Sequence, residues 1–503
     1  MDGVFARCRT DGIADNLLPN TQLKFAYRDS KRDDSSAFFG ALELTQSAFD
    51  QKGVHAIVGA ASSGPSMSAA LVTARAMVPQ ISYSSTSALL SDGASYPYFL
   101  RTCPSDAFQG DGLADLVQNL FGYTRVASVA STDGYGAAGI AAFLSAAASR
   151  GLNVLVSLNF NNNANDFTEQ YRELQRSDAR IIILFCQTAD AGVFMKGALA
   201  EGIGGPGYMW LGSDALSQSS LWTTNSVLSD PAERLRVLKG FFGLRPSVGQ
   251  GTAVYNAFLA RQRALPSSLP VNGTVCNMAT DDDLASPRYI WAQDSDNNAS
   301  TPLACGGTDN QAEGSYAPYA YDAVYAIANA LHHLIEVQGK TSIVGSELLD
   351  ALVRNVAFDG VTGRIEFHDG STHPDKQYHG DRRVGIAYDV VNYASNEAGL
   401  VRVGKWTPIA DSAWIQRWQQ LGNLTYSTDD NSKPPDVLGE LSDVRIGALF
   451  PMFRTAARDF AKDSSGIRRL SVFRMAINEI NDKCARSHKQ ASTRARADLP
   501  LLS

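Results

Sequence analysis

Two segments within residues 54–92 share one pattern, in which a short apolar run leads into a hydroxyl-rich turn and then into a helix. The first run, VHAIV, precedes a turn that ends at Ser63, and the second, PQISY, precedes a turn with Ser84 and Thr86. The carboxyl ends of neighbouring strands in an open α/β sheet form the crevice where small ligands bind. Hydroxyl groups and the free N–H groups of a helix start suit a carboxylate. The repeated pattern therefore predicts a binding cleft.

Strands and helices alternate along most of the chain, as a doubly wound protein requires. We therefore expect a two-lobed α/β fold in which each lobe is a mainly parallel sheet flanked by helices. The predicted strands are 22–27, 54–58, 79–83, 125–130, 152–158, 181–185, 364–368, 384–394 and 400–406. The predicted helices are 35–49, 107–121, 140–150, 166–176, 189–202, 318–337 and 345–356.

Composition limits the class of partner. The chain has 503 residues, of which 44% are hydrophobic, so it can bury a large core, and its length suggests about three domains. A net charge of −7 argues against nucleic acid and an anionic membrane surface as partners. No run of about 18 apolar residues predicts a membrane span, and the first residues lack the charged start and apolar stretch of a secretory signal.

Seven segments in a fixed order resemble the receptor form of the type I periplasmic-binding-protein fold. That form includes the ligand-binding region of class C receptors and natriuretic-peptide receptors, and the bacterial branched-chain amino-acid binding proteins. The resemblance spans most of residues 20–410 and implies an extracellular ligand-binding module. The segments are 54–92, FLRTCPSDAFQ (99–109), STDGYGAAG (131–139), SDARIIILFCQT (177–188), YMWLGSDAL (208–216), YAYDAVYAIANAL (319–331) and FDGVTGRIEF (358–367).

The resemblance also implies a set of ligand-binding residues. In class C receptors that bind α-amino acids, hydroxyls of both turns hold the carboxylate, while acids of both lobes and a tyrosine ring hold the ammonium group. These residue types suit such a ligand, because a carboxylate accepts from hydroxyls and an ammonium group requires acids and an aromatic face. By position, the carboxylate residues are Ser63, Ser84 and Thr86, and the ammonium residues are Asp106, Tyr135 and Asp214.

Ordinary structural roles compete with these assignments. Ser63, Asp106 and Asp214 could each cap a helix, and Thr86 could bond the backbone of its own turn. The ligand is also constrained by departures from the glutamate receptors. Tyr316 stands where those receptors have a lysine for the distal carboxylate. Glutamate is therefore not the expected ligand, and residues 177–188 resemble the γ-aminobutyrate type B receptors more closely.

The order of elements differs from the family pattern at the start of the chain. The first strand and helix of the family are missing there, and similar sequences, VRIGALF and IRRLSVFRMAINEIND, occur near the end. Either the chain was cut within two tandem domains, or the terminal elements complete the first domain as in a circular permutation. The expected divisions are a domain at 1–420 (lobe 1 about 1–122 and 315–358, lobe 2 about 123–310 and 359–410), a linker at 421–443, and the terminal strand and helix at 444–503.

Cysteine and histidine spacing gives no metal site. Cys276 and Cys305 bracket a polar insertion, where they form either a disulfide that closes an extracellular loop or two free thiols. His368, His373 and His379 lie in one loop, but their spacing matches no common ligand pattern. Neither a metal nor a cofactor is expected.

These features predict the ligand-binding module of a membrane receptor, which senses an amino-acid-like molecule by closing its two lobes. Two other functions remain open, namely a periplasmic-type protein that delivers amino acids to a transporter and a ligand-free module that dimerises through lobe 1. An enzyme is not expected, because the sequence has no GxSxG, P-loop or HExxH motif and offers no base for Ser63. Without a signal or a span, the chain is expected to be part of a larger protein.

Overall fold

The computed structural model describes residues 17–21, 23–24, 26, 28–46, 52–218, 222, 227–264, 316–370, 379–408, 414–435, 453–456 and 459–462. The chain divides into two compact units, Met1–Leu438 and Gly439–Ser503. The division falls inside the segment predicted as a linker. The insertion with Cys276 and Cys305 lies outside the described residues, as do His373 and the terminal segments at 444–450 and 467–482.

Most predicted elements are present, with shifted ends. The helices are α1 Asp34–Gln46, α2 Ser63–Ala76, α3 Asp106–Asp115, α4 Gly136–Ser149, α5 Thr168–Ser177, α6 Thr188–Ala200, α7 Pro231–Leu238, α8 Ala253–Ala264, α9 Ala317–His332, α10 Gly345–Asn355 and α11 Trp414–Arg417. The strands are β1 Ile57–Val58, β2 Gln80–Ser82, β3 Phe99–Arg101, β4 Arg125–Ser131, β5 Asn153–Phe160, β6 Ile181–Phe185, β7 Met209–Gly212, β8 Phe242–Pro246, β9 Phe358–Gly360, β10 Gly363–Ile365, β11 Tyr388–Ser395, β12 Gly399–Trp406, β13 Trp418–Gln420, β14 Phe453–Ala456 and β15 Asp459–Lys462.

Lobe 1 is built on a parallel sheet in the order β1-β2-β3. Ile81 and Leu100 at its centre pack against α9 and α10 through Ala323, Leu331 and Leu348. On the other side, α1 and α2 pack together over Ile57. The strand predicted at 22–27 is absent at the described residues 23, 24 and 26. Ala26 instead packs against the cluster of α1 and α2.

Lobe 2 is built on a mixed sheet in the order β13-β12-β11-β8-β7-β6-β4-β5. The strands from β5 to β8 are parallel, and β8, β11, β12 and β13 pair antiparallel. Every residue of β6, IIILF, is buried. Helices on both faces of a parallel sheet explain such a continuous apolar run, because neither face meets solvent. The two faces carry separate clusters, one with Phe143 and Trp406 and the other with Phe194 and Trp222.

The packing moves two lobe boundaries from their predicted positions. Helix α3 packs on the sheet and on helix α4 of lobe 2, and Gly110 allows the approach to α4, since a Cβ there would lie 2.6 Å from the backbone of Phe143. Phe358, Ile365 and Phe367 pack in the cluster of lobe 1. We therefore place α3 with lobe 2 and residues 358–367 with lobe 1. Hydrophobic spacing along the sequence shows that a helix has a buried face but not which sheet that face meets.

Part of the segment predicted as a linker is hydrogen-bonded to lobe 2. Residues 422–434 attach to lobe 2, because Thr425 N donates to Asn392 Oδ1 at 2.7 Å and Tyr123 Oη donates to the carbonyl of Pro434 at 2.6 Å. Composition suggested a linker because this stretch is polar, but its polar groups are bonded within the lobe. In the second unit, β14 and β15 form an antiparallel pair.

Candidate ligand site between the lobes

The serine-rich turns after β1 and β2 are joined through one carbonyl group. The oxygen of Ala60 accepts hydrogen bonds from the hydroxyls of Ser66 at 3.1 Å, Ser82 at 2.7 Å and Ser85 at 3.2 Å. The hydroxyls of Ser85 and Ser66 also bond each other at 2.8 Å. Much of the hydroxyl content of this region therefore serves the fold rather than a ligand. The same bonds hold the two turns side by side.

The predicted carboxylate residues differ in what their hydroxyls do. Ser84 Oγ donates its proton to the carbonyl of Ala61 at 2.6 Å, so that proton is not available to a ligand. Ser63 Oγ accepts from the amide of Ser87 at 3.2 Å, a bond that does not use the Ser63 proton. The cap of α2 is Ser62, whose side chain makes no capping bond. Ser63 is thus not the cap of its helix.

Thr86 is the third predicted carboxylate residue. Its side chain is 1% exposed, and its Oγ1 atom has no hydrogen-bond partner among the described residues. The Thr86 carbonyl accepts from the amide of Asp106 at 2.7 Å, which joins the second turn to the start of α3. The expected alternative, a hydroxyl bonded to its own turn, is not found. A buried hydroxyl without a partner is costly unless a ligand supplies one.

Asp106 opens α3 but does not cap it. Ser105 is the cap, and its hydroxyl accepts from the amide of Ala107 at 3.4 Å. The Asp106 side chain is 0% exposed, and both of its carboxyl oxygens lack a hydrogen-bond partner within the described part of the chain. The position thus holds a buried acid without a hydrogen bond of good geometry, next to the hydroxyl of Thr86.

Asp214 lies two residues after the end of β7 and accepts hydrogen bonds from three side chains. Its Oδ1 atom accepts from Tyr135 Oη at 2.6 Å and from Gln109 Nε2 at 3.2 Å. Its Oδ2 atom accepts from the hydroxyl of Tyr316. Tyr135 Oη lies 2.8 Å from the hydroxyl of Ser213 as well. The predicted pair of Tyr135 and Asp214 is therefore in direct contact.

Asp106 and two tyrosines have raised pKa values because they are buried close to Asp214. Burial raises the pKa of Asp106 well above its ordinary value, and the charge of Asp214 raises it further, while the neighbouring Thr86 hydroxyl lowers it only in part. Burial and then the charge of Asp214 raise the pKa of both Tyr135 and Tyr316. Both phenols consequently keep their protons at neutral pH and act as donors to Asp214.

A buried arginine, Arg101, stabilises the second turn through hydrogen bonds to its carbonyl groups. Arg101 Nε bonds Asp381 Oδ1 at 2.7 Å, and Arg101 Nη1 donates to the carbonyls of Ser85 at 3.1 Å and Ser87 at 2.8 Å. The Arg101 side chain is 0% exposed. Because its charge is paired with Asp381 and its donors are occupied, Arg101 orders the Thr86 turn and is not a partner for a ligand carboxylate.

Five of the predicted site residues surround one region, namely Ser63, Thr86, Asp106, Tyr135 and Asp214. Sequence reasoning did not assign Gln109 or Tyr316 to the site. Tyr316 had been noted only as the residue in place of a lysine, and that substitution was the available signal. Among the described residues, no group of three or more His, Cys, Asp and Glu side chains could hold a metal ion.

The architecture is that of a two-lobed type I periplasmic-binding-protein-like domain, with mainly parallel sheets flanked by helices. The profile described as "Receptor family ligand binding region" matches residues 13–379. The chain belongs to this family.

Curated relatives agree with the family. The chain is 25% identical to Glutamate receptor 3.1 of Oryza sativa subsp. japonica, over 87% of this chain and 43% of that protein. It is 27% identical to Extracellular calcium-sensing receptor of Sus scrofa, over 63% of this chain and 32% of that protein. It is 25% identical to Metabotropic glutamate receptor 4 of Mus musculus, over 83% of this chain and 48% of that protein. The chain thus spans less than half the length of these relatives. None of the described helices is long and apolar enough to cross a bilayer.

Proposed function

We propose that the first unit is a sensor domain of a receptor, which binds a small molecule with a carboxylate and an ammonium group between its lobes. The observation that carries this proposal is the pair of unsatisfied polar side chains at Thr86 and Asp106, both buried. A hydroxyl donor and a carboxyl acceptor side by side are complementary to the two charged ends of an α-amino acid. A ligand that supplied both missing partners would remove two desolvation costs at once.

We propose that each lobe binds one end of the ligand. Ser63 and Thr86 of lobe 1 supply hydroxyl protons for the carboxylate, whereas Ser84 does not, because its proton is bonded to Ala61. Asp106 supplies two free acceptors for the ammonium group, with Asp214 beside it. The ligand would then contact the turns of lobe 1 and the acids of lobe 2 only when the lobes are closed. Closure is favoured by just such differential contacts.

We also propose how the domain moves, where it lies and how it assembles. The ligand shifts the domain from an open to a closed form, and the closed form signals to the rest of a membrane receptor whose sensor faces the outside of the cell. A homo- or heterodimer through lobe 1 is the form in which we expect this domain to act. Tyr316 stands where glutamate receptors have a lysine, and its hydroxyl proton is already donated to Asp214. A ligand with an acidic side chain, such as glutamate, is therefore disfavoured.

Calorimetric titration of the full chain with the twenty common L-amino acids tests this function. We expect heat from at least one of them and, for that ligand, about a tenfold or greater loss of affinity in Thr86→Val and in Asp106→Asn, as each removes a bond to a charged group. Ser84→Ala is the matched control, because it removes a neighbouring hydroxyl whose proton is already bonded, and it should change affinity much less. Absence of heat with every amino acid, or equal losses in Ser84→Ala and Thr86→Val, would contradict the proposal.

A further inference from the structure

We propose that Asp106 carries a proton in the empty site and that the ammonium group of the ligand takes the place of this proton. Ligand capture would thus release one proton into solution. The proposal rests on the proposed function, since it concerns the same site and the same cationic group.

No ion pair within the described part of the chain compensates a charge on Asp106, and the Thr86 hydroxyl and the charge of Arg101 lower its pKa only in part. The carboxyl group is 0% exposed, and neither oxygen makes a hydrogen bond of good geometry among the residues described, with the Thr86 hydroxyl as the neighbouring donor. The nearby cation, Arg101, is already paired with Asp381 at 2.7 Å. The other titratable groups that influence Asp106 or respond to it are Cys103, Tyr135, Asp214 and Tyr388. Three of these are neutral thiol or phenol groups, and the fourth is another acid.

The donors of the site serve Asp214 instead. Gln109, Tyr135 and Tyr316 all donate to its carboxylate, so a negative charge there is stabilised by three hydrogen bonds. Two buried carboxylates side by side cannot both be charged without a cation between them. The asymmetry of donors decides which acid keeps the charge, and the proton resides on Asp106.

The exchange of the Asp106 proton for the ammonium group of the ligand balances in charge and in atoms. In the empty site Asp214 is anionic and Asp106 is neutral. When the ammonium group enters, the O–H bond of Asp106 breaks, its proton passes to the buffer, and the two carboxylates share one ligand cation. The summed charge of the two acids and the ammonium group equals that of the two acids before binding, and the ligand carboxylate adds one negative charge that the released proton balances in solution. Because protons and ligand compete for one place, affinity should fall by about tenfold for each pH unit of acidification while Asp106 is protonated.

The exchange can be measured by calorimetry on the full chain with the strongest amino-acid probe from the panel above. Titrations in phosphate and in Tris, whose ionisation enthalpies differ, give the number of protons released. We expect about one proton per ligand, and none in Asp106→Asn if that variant retains measurable affinity. Heat that is independent of the buffer would overturn the exchange and leave the proposed function intact. No heat with any amino acid would count against the proposed function and, with it, the exchange.

A second measurement detects the proton on Asp106 directly and begins with the ligand-free chain. The infrared C=O stretch of a protonated carboxyl group should be present in the ligand-free chain at neutral pH and should be lost on adding the amino-acid probe. It should be missing from Asp106→Asn. Asp92→Asn is the control, because Asp92 is exposed and hydrogen bonds from Ser95 and Ala94 lower its pKa, so this change should leave the band as it is. A band that persists in Asp106→Asn, or that is missing from the unaltered chain, would overturn the exchange.

Discussion

The hydroxyl of Tyr316 donates a hydrogen bond to Oδ2 of Asp214, across a sequence separation of 102 residues. Tyr316 stands at the start of α9, the helix that packs on the sheet of lobe 1, and Asp214 follows β7 in lobe 2. The bond therefore connects the two lobes at the proposed ligand site. Tyr316, a neutral donor, thus occupies the position at which the glutamate-receptor pattern has a lysine.

Loss of this bond should weaken closure of the lobes. Tyr316→Phe removes one donor to a buried carboxylate and should lower the free energy of unfolding by about 1.5–3 kcal/mol, the usual range for a hydrogen bond to a charged group. Thermal and denaturant unfolding would measure the change. Tyr325→Phe is a matched control on the same helix, since within the described residues its hydroxyl bonds only the phenol of Tyr321. Equal effects in the two variants would argue against a special role for Tyr316.

Thr86→Val should separate stability from binding. The change keeps the shape of the side chain but removes a buried hydroxyl that has no partner in the described structure. Since such a group costs about 1–3 kcal/mol, the variant should melt at the same temperature as the unaltered chain or higher, while it loses affinity for the ligand. Differential scanning calorimetry and ligand titration measure the two effects.

Ser85→Ala provides the contrast to Thr86→Val. The Ser85 hydroxyl bonds Ala60 at 3.2 Å and Ser66 at 2.8 Å, so its removal should lower the melting temperature. A lower melting temperature in both variants would show that the Thr86 hydroxyl has a structural partner after all.

The pH dependence of stability should report on Asp106. Burial and then the charge of Asp214 raise its pKa in the folded protein above the unfolded value. The folded state therefore binds the proton more tightly, so this stabilisation is complete below about pH 4 and is lost as pH rises through the folded pKa. In Asp106→Asn this loss should disappear. Melting temperatures from acid to alkaline pH would measure the difference, and parallel curves for both proteins would contradict the assignment.

Arg101 should be essential for the fold of the second turn. Arg101→Met leaves Asp381 buried without its partner and should cost about 3–5 kcal/mol of unfolding free energy, measured by denaturant titration. The carbonyls of Ser85 and Ser87 would lose their donors too. Adding Asp381→Leu should restore part of the stability, because the double variant no longer holds an unpaired buried charge. Ligand affinity should remain low in both variants. Full recovery of affinity in the double variant would show that Arg101 does not order the site.

The hydrophobic pattern of the sequence predicted strands and helices well where an element is buried on both faces or along one continuous face. The IIILF run predicts a strand at 181–185, where β6 lies, and the two hydroxyl turns predicted to be neighbours are joined by the bond from Ser87 to Ser63. The membership of α3 was not predictable in this way. Gly110 and Gly112 decide it by letting the helix lie close to α4 and Trp406, and a glycine in a sequence does not say what approaches it.

The amino-acid sequence by itself determined the α/β alternation, the family and the kinds of side chain at the cleft, because these depend on composition, periodicity and short motifs. Only the tertiary structure decided which of those side chains remain unbonded. Ser84 and Thr86 are near neighbours with similar hydroxyls, yet one proton is held by Ala61 and the other hydroxyl has no partner in the described chain. Hydrogen bonding and burial depend on atoms brought together from distant parts of the chain. For the same reason, the charge of Asp214 reaches Asp106 only after folding.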